Sequence, residues 1–243
     1  MTQAEFDHYS KAYGAGMENP VKGLLGDSAD AYLEVKLRWL LHTYRHLRSA
    51  DETYRLLDYG CGAADMLRLM TESGLRFNKS GCDISAGMLQ EAEERWPSGL
   101  PRPSLHLQDG AKTQLPSDSF DMVLITAVLH HVPVEERFDV YAEIRRVLRP
   151  GGHVVVFEHN PINPVTRYVV AHTPIDQNAI LLRAREVIAA LRQADFGDPE
   201  TSYLMFLPPR LKLLWPLELG LGWLPLGAQY AVAAQRPTQA PPG

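Results

Sequence analysis

The sequence predicts an α/β fold, a doubly wound sheet of seven strands with helices on both faces and an N-terminal helical cover. After Asp51, short apolar runs alternate with amphipathic stretches of about ten or more residues, which is typical of parallel strands joined by helices. A glycine-rich turn directly follows the first of these runs. The chain has 243 residues, of which 45% are hydrophobic, and this suffices for the core of one α/β domain.

The N-terminal part of the chain is predicted to be helical. Apolar side chains recur there at helical spacing, namely Tyr32, Leu33, Leu37, Leu40, Leu41, Tyr44 and Leu47. We therefore divide the chain into a helical cover over 1–50, a domain over 51–236 and a flexible tail over 237–243.

Strands and helices alternate through the domain. Apolar runs that end in small or acidic residues predict strands at 55–59, 77–84, 104–108, 120–126, 154–158, 202–207 and 229–234. Amphipathic stretches predict helices at 65–73, 85–96, 134–148 and 179–194. Gly74, Pro97 and Pro150 are the residues that end the first three helices.

Charge and cysteine content argue against several classes of protein. Because 24 basic and 29 acidic side chains leave a net charge of −5, we expect no nucleic-acid partner. Two cysteines, Cys61 and Cys82, are too few for a disulfide framework or a four-thiolate zinc site. No signal peptide is visible after Met1, and prolines and glycines interrupt the most apolar region, 211–234, so we expect a cytoplasmic protein.

The turn after the first strand predicts a nucleotide site. It runs DYGCGAAD over 58–65, and its glycines let the backbone approach a ligand at the carboxyl ends of the strands. Asp83 follows Gly60 by 23 residues, near the spacing of ~20 at which a carboxylate meets a ribose diol. A dinucleotide site would need glycine in place of Asp65, whose charge opposes a pyrophosphate. S-adenosylmethionine, which carries an amino acid and a positive centre, suits these carboxylates better.

Five motifs, in order, resemble those of class I S-adenosylmethionine-dependent methyltransferases. They are LDYGCGAA at 57–64, GCDISAGML at 81–89, QDGA at 108–111, FDMVLITAVLHHV at 120–132 and VLRPGGH at 147–153. The resemblance spans about 6–197 and is to the small-molecule type, similar to natural-product and sugar O-methyltransferases and to quinone-pathway methyltransferases. It implies a Rossmann-like fold and S-adenosyl-L-methionine as the cofactor.

The resemblance also implies a cofactor site. Gly60 and Gly62 would pass under the methionine part of the cofactor, Asp58 would support their loop and Asp83 would hold the ribose. Ile84 would flank the adenine, and Asp109 would accept a hydrogen bond from the exocyclic amine of the adenine. The remaining residues implied for this site are Tyr9, Tyr13, Lys36, Cys61, Met88, Gly110, Ala111 and Thr126.

Four of these residues have a simpler structural alternative. Asp83 alone could cap the helix that begins near Ser85. Lys36 could lie on a solvated helix face, whereas Met88 and Cys61 could be core side chains. The ordered set of motifs favours the cofactor site over these alternatives.

Histidines and a glutamate follow two neighbouring strands and predict the catalytic centre. His130 and His131 follow the fourth strand, and Glu158 and His159 end the fifth. Methyl transfer needs a positioned nucleophile and a group that takes its proton, for which histidine suits neutral pH. By resemblance, one histidine of the pair would be the base and Glu158 would orient it, with His159 as a second candidate. Alternatively, one of the pair only fills the groove or bonds a carbonyl. No metal-ligand spacing is apparent, so no metal is expected.

Two further segments are candidates for the acceptor side. The polar stretch 158–177 is interpreted as a stiffened loop, from which Asn160, Arg167 and His172 would contact the acceptor. The apolar segment 206–226 packs on the sheet, covers the acceptor, forms a dimer face or touches a membrane surface; few basic residues argue against the membrane.

The function expected from the sequence is methyl transfer from S-adenosyl-L-methionine to a small-molecule acceptor. O-methylation of a sugar-like or natural-product hydroxyl is favoured, and C-methylation of a quinone or polyketide ring is the alternative. A module that binds the cofactor without turnover and a nicotinamide enzyme also stay open. The oligomeric state is open, with a homodimer among the outcomes.

Overall fold

A computed structural model of the chain describes residues 29–176, 178–208 and 211–238. The strands are β1 (Arg55–Tyr59), β2 (Asn78–Asp83), β3 (Ser104–Leu107), β4 (Phe120–Thr126), β5 (Leu148–His159), β6 (Glu200–Leu204) and β7 (Gln229–Gln235). The helices are α1 (Ala29–Thr43), α2 (Asp65–Glu72), α3 (Ala86–Arg95), α4 (Arg137–Val147), α5 (Pro164–Ala171), α6 (Ala184–Gln193) and α7 (Trp215–Gly220). Tyr9 and Tyr13 lie outside the described residues.

The seven strands form one sheet in the order β3-β2-β1-β4-β5-β7-β6. Neighbours from β3 to β5 pair in parallel, and β7 is antiparallel to both β5 and β6. The predicted seven-stranded α/β fold is therefore confirmed. The carboxyl ends of β1, β2, β4 and β5 meet at one edge of the sheet, where ligands bind in open α/β folds.

Alternating side chains of each central strand pack into two hydrophobic cores, one on each face of the sheet. Leu57 of β1 and Val156 of β5 pack in the core that includes α4 and α6. Leu56 and Phe157 pack on the other face, in the core that includes α1 and α2. This two-faced burial explains why β4 contains the continuous apolar run MVLI over 122–125.

The structure differs from the sequence prediction after β5. The stretch 158–177, interpreted as a loop, contains α5 (Pro164–Ala171). Asn163 caps this helix, since its side chain accepts from the Val165 and Thr166 backbone amides. The Asn-Pro pair that indicated a turn is a helix start, because proline is tolerated at the first helical position.

Several boundaries also differ from the prediction. The helix predicted over 179–194 begins at Ala184, and β6 covers Glu200–Leu204 instead of 202–207. Strand β5 begins at Leu148, earlier than the predicted 154.

The apolar segment that precedes β7 leaves several large side chains in solvent. Leu213, Leu217 and Trp223 are exposed, the first of them by 95%. Within the residues that the structure describes, no helix is long and apolar enough to cross a membrane. The roles predicted for this segment stay predictions.

Candidate active site

A cavity of about 860 Å³ opens at the carboxyl edge of the sheet, within the usual range of small-molecule sites. It brings together most of the site residues predicted from the sequence, namely Lys36, Asp58, Gly60, Cys61, Gly62, Asp83, Ile84, Met88, Asp109, Gly110, Ala111, Thr126, His130, His131 and His159. One end of the cavity lies at β1 and β2, and the other at β4 and β5.

The backbone of the β1 turn forms the first end. The Gly60 and Cys61 amides donate to the Cys82 carbonyl at 2.8 and 2.9 Å. Gly60 has φ +73°, and a Cβ placed there would meet Cγ2 of Val128 at 2.5 Å. Glycine is therefore required at position 60, both by the backbone conformation and by the space.

The Asp83 carboxylate ties this turn to the end of β2. Oδ2 accepts from the Gly62 amide at 2.8 Å, and Oδ1 accepts from the Ser85 amide at 2.9 Å. Ser85, and not Asp83, caps α3, because its hydroxyl accepts from the Met88 amide at 3.1 Å. Asp83 still lines the cavity, so its carboxylate both shapes the turn and borders the cavity.

A second carboxylate, Asp58, is buried beneath the turn. Burial and the neighbouring charge of Asp83 raise the pKa of Asp58 to about 7, against the opposing effect of Lys36. Within the part of the chain that the structure describes, Oδ1 of Asp58 has no hydrogen-bond partner. Lys36 is itself 4% exposed and lines the cavity, so the alternative interpretation, that Lys36 lies on a solvated helix face, is wrong.

A buried histidine–glutamate pair forms the wall at the other end of the cavity. His130 Nδ1 lies 2.6 Å from Oε2 of Glu158, and Oε1 of Glu158 accepts from the Leu129 amide at 2.8 Å. Burial opposes the charge on each partner, but their mutual attraction prevails. Together with the nearby Asp176 carboxylate, this attraction raises the pKa of His130, and it lowers that of Glu158.

Three more polar groups surround this pair. Nε2 of His131 lies 3.4 Å from Oδ1 of Asp176, and the ring of His159 stands 5.1 Å from that of His130. Burial and the charge of His130 lower the pKa of His131 to about 3 and that of His159 to about 4. Both rings are therefore neutral imidazoles at neutral pH.

Three residues predicted to contact the acceptor lie away from the cavity. The Asn160 amide group donates to the Pro225 and Gly227 carbonyls at 3.1 and 2.8 Å, and this side chain is buried. Arg167 does not line the cavity but a neighbouring pocket that shares Asp176 with it, and His172 is exposed with Nδ1 2.7 Å from the Tyr168 carbonyl. The structure thus does not bring these three side chains to the catalytic cluster.

Sequence reasoning did not assign several residues that line the cavity. Asp176 belongs to a short helix, Pro174–Asp176, within the stretch interpreted as a loop. Gln229 begins β7, and its Nε2 lies 3.5 Å from Nδ1 of His159. Val165 and Val169 lie on one face of α5, so recognition of that helix would have indicated them.

Comparison with known proteins identifies the central part of the chain. Residues 57–156 match the Methyltransferase domain family. The demethylmenaquinone methyltransferase of Lysinibacillus sphaericus is 32% identical over 128 residues, covering 51% of this chain and 52% of that protein. The 27-O-demethylrifamycin SV methyltransferase of Amycolatopsis mediterranei is 30% identical over 144 residues, covering 58% and 47%. The chain thus spans about half the length of these relatives.

A solved structure from Thermotoga maritima shares the fold. It is described as a SAM-dependent methyltransferase and a possible histamine N-methyltransferase, and it superposes with a TM-score of 0.67 at 16% identity, covering 97% of this chain and 100% of that one. At this identity the likeness shows the fold alone. Together with the family match, it confirms the predicted resemblance to class I methyltransferases and agrees with the predicted enzyme class and cofactor.

Proposed function

Residues 57–156 match the methyltransferase domain family, and on this premise we propose that the protein transfers a methyl group from S-adenosyl-L-methionine to a small-molecule acceptor. One observation carries the proposal. A single cavity joins the glycine turn and its two carboxylates to the histidine cluster at the ends of β4 and β5.

The β1–β2 end of the cavity fits the cofactor. Bound there, the cofactor supplies an activated methyl group on a sulfonium, whose carbon–sulfur bond breaks with the electron pair left on sulfur. The unpartnered oxygen of Asp58 lies where a cationic or hydrogen-bond-donating group is favoured. Asp83 lines the same end, where its carboxylate would accept from a diol, and Lys36 adds a buried positive charge that favours a carboxylate.

The β4–β5 end suits an acceptor that must lose a proton. His131 and His159 both line the cavity as imidazoles. Asp176, 3.4 Å from His131, would stabilise the imidazolium that forms when His131 takes the proton. Glu158 does not line the cavity and holds His130 in place, so we assign it a positioning role.

The acceptor proposed is a hydroxyl group of a sugar-like or natural-product molecule. A cluster of imidazoles beside a carboxylate is the apparatus that an oxygen nucleophile requires, and a rifamycin methyltransferase is among the relatives. C-methylation of a quinone-type ring is the second candidate, favoured by the match to the demethylmenaquinone enzyme and by apolar walls from Val165 and Val169. A cytoplasmic location and a role in natural-product biosynthesis belong to this proposal.

The test is product analysis with a panel of acceptors. Purified protein and S-adenosylmethionine are incubated with phenols, sugars and quinols, and S-adenosylhomocysteine release is measured. We expect turnover with a hydroxyl acceptor and an O-methyl product by NMR, lost in Asp83→Ala but retained in Asp198→Ala, an exposed residue outside the cavity. A C-methyl product would favour the second candidate, and cofactor binding without any product would contradict an active enzyme.

A further inference from the structure

Three side chains with metal-binding atoms converge at the acceptor end of the cavity. They are His130, His131 and Asp176, and one ligand atom from each lies within 4.8 Å of the others. Nε2 of His130 and Nε2 of His131 approach the same carboxylate oxygen, Oδ1 of Asp176, at 3.6 and 3.4 Å. All three residues line the cavity.

These separations match metal ligands better than hydrogen bonds. A charge-assisted hydrogen bond between these groups would measure about 2.7–2.9 Å. Bonds of about 2.0–2.2 Å to a tetrahedral ion instead place neighbouring ligand atoms about 3.4 Å apart. The same network closes to 2.6 Å where a hydrogen bond does form, between His130 and Glu158. The longer distances from Asp176 to the two histidines are therefore specific to Asp176 and do not extend to the rest of the network.

Glu158 supplies the second layer of such a site. Its Oε2 lies 2.6 Å from Nδ1 of His130, and its Oε1 is held by the Leu129 amide. A carboxylate on one ring nitrogen of histidine fixes the ring orientation and makes the other nitrogen a better ligand, which is the usual support of histidine ligands in metalloproteins. This arrangement leaves Nε2 of His130 facing Asp176, and an ion bound there would displace the proton from Nε2 to solvent.

We propose that His130, His131 and Asp176 bind a divalent first-row transition-metal ion, with Zn²⁺ as the representative, and leave one coordination position open to the cavity. Imidazole and carboxylate donors together select such ions over Mg²⁺ and Ca²⁺. Three protein ligands with an open fourth position are the arrangement of catalytic zinc sites. The sequence indicated no metal because Asp176 lies far along the chain from the histidine pair.

The ion would also define the acceptor more closely, and this role rests on the proposed function. A hydroxyl oxygen that completes the coordination becomes a stronger acid. With His131 bound to the ion, its nitrogen lone pair would no longer be available for the proton, and His159 would replace His131 as the neighbouring imidazole that accepts it. The oxygen then forms its bond to the methyl carbon as the carbon–sulfur bond breaks. An acceptor that chelates through two neighbouring oxygens would fit this site.

The test is direct metal binding by the full, untagged chain after treatment with a chelator. Isothermal titration with Zn²⁺ alone should give one ion per chain, with Mg²⁺ at least about tenfold weaker. This stoichiometric binding should be lost in His131→Ala and in Asp176→Asn and kept in His106→Ala, a histidine on the edge strand β3. Circular dichroism and S-adenosylhomocysteine binding on the same samples show whether each variant is folded.

Three results would overturn the site: no stoichiometric Zn²⁺ binding to the wild type, binding retained in folded His131→Ala and Asp176→Asn, or binding lost equally in His106→Ala. Full methyl transfer by chelated protein would overturn the role in acceptor activation. Site-specific Zn²⁺ binding without turnover for any acceptor would contradict the proposed function and leave the metal site standing, so the two failures are distinguishable.

Discussion

The two ends of the cavity are built in different ways. At the cofactor end, the wall consists of a turn of consecutive residues and of a carboxylate at the end of the next strand. Backbone groups hold them together, as where the Gly62 amide donates to the Asp83 carboxylate. At the acceptor end, side chains from three distant segments meet, with His130, Glu158 and Asp176 as their centre. The first end depends on local backbone conformation and the second on a buried charge network, so substitutions should affect them differently.

The largest effect is expected at the acceptor end. Glu158→Gln keeps the shape but removes the nearer of the two carboxylates beside His130, the other being Asp176 at 3.6 Å, and breaking such a buried pair costs about 3–5 kcal/mol of unfolding free energy. The matched control is Glu72→Gln, which removes an exposed partner of Arg68 at 2.9 Å and should cost less than about 1 kcal/mol. Urea denaturation of both variants measures the difference, and equal costs would contradict a buried pair.

At the cofactor end, Gly60→Ala tests the backbone. The left-handed conformation and the contact with Val128 together should cost about 2–3 kcal/mol of stability and weaken S-adenosylhomocysteine binding. Gly74→Ala is the control, since Gly74 has φ +75° with nothing within 4 Å of the added carbon. Denaturation and calorimetry should show a smaller loss of stability and unchanged affinity there. If Gly60→Ala bound S-adenosylhomocysteine as tightly as the wild type, the cofactor end would not depend on a close approach of the backbone to the ligand.

The Asp58 carboxyl predicts a pH dependence of stability. Its pKa is about 7 in the folded chain because of burial and Asp83, with Lys36 opposing and the thiols of Cys61 and Cys82 nearby. A raised pKa means that the neutral form favours folding, and this contribution is lost as the pH rises from about 4 through about 7.

Asp58→Asn should therefore gain about 3 kcal/mol relative to the wild type between pH 4.5 and pH 8. Denaturant titrations of both proteins at the two pH values measure this gain. A constant difference between the proteins would show that Asp58 does not titrate in this range.

The smallest effect is expected from the buried lysine. Lys36→Met should weaken S-adenosylhomocysteine binding about tenfold, because a hydrogen bond to a charged group is lost. Lys79→Met removes a lysine that bonds the Leu75 and Phe77 carbonyls at the start of β2, outside the cavity, and should leave affinity unchanged. Equal affinities in calorimetry for Lys36→Met and the wild type would remove Lys36 from the cofactor site.

The same contrast explains how much could be predicted from the sequence. The cofactor end follows from local patterns, because glycines after a strand and an acid at the end of the next strand are adjacent in any doubly wound sheet. The histidine pair was predictable from its place after β4. Asp176 was not predictable, because α5 places it beside the cluster and the sequence of that helix was interpreted as a loop on the basis of two Asn-Pro pairs. Asn160 directly follows β5, but its side chain does not line the cavity, because its amide group donates hydrogen bonds to two backbone carbonyls.

The central claim is that this cavity binds S-adenosylmethionine, and melting temperatures test it most directly. Wild type and Asp83→Ala are each heated alone and with S-adenosylmethionine, S-adenosylhomocysteine or NAD, and each shift is taken from the protein's own ligand-free value. A ligand at a hundred times its dissociation constant stabilises by about 2.7 kcal/mol, which corresponds to a few degrees. We predict that both adenosyl compounds raise the melting temperature of the wild type. NAD should not raise it, and neither adenosyl compound should raise that of Asp83→Ala. No shift with them, or a larger one with NAD, would contradict the account.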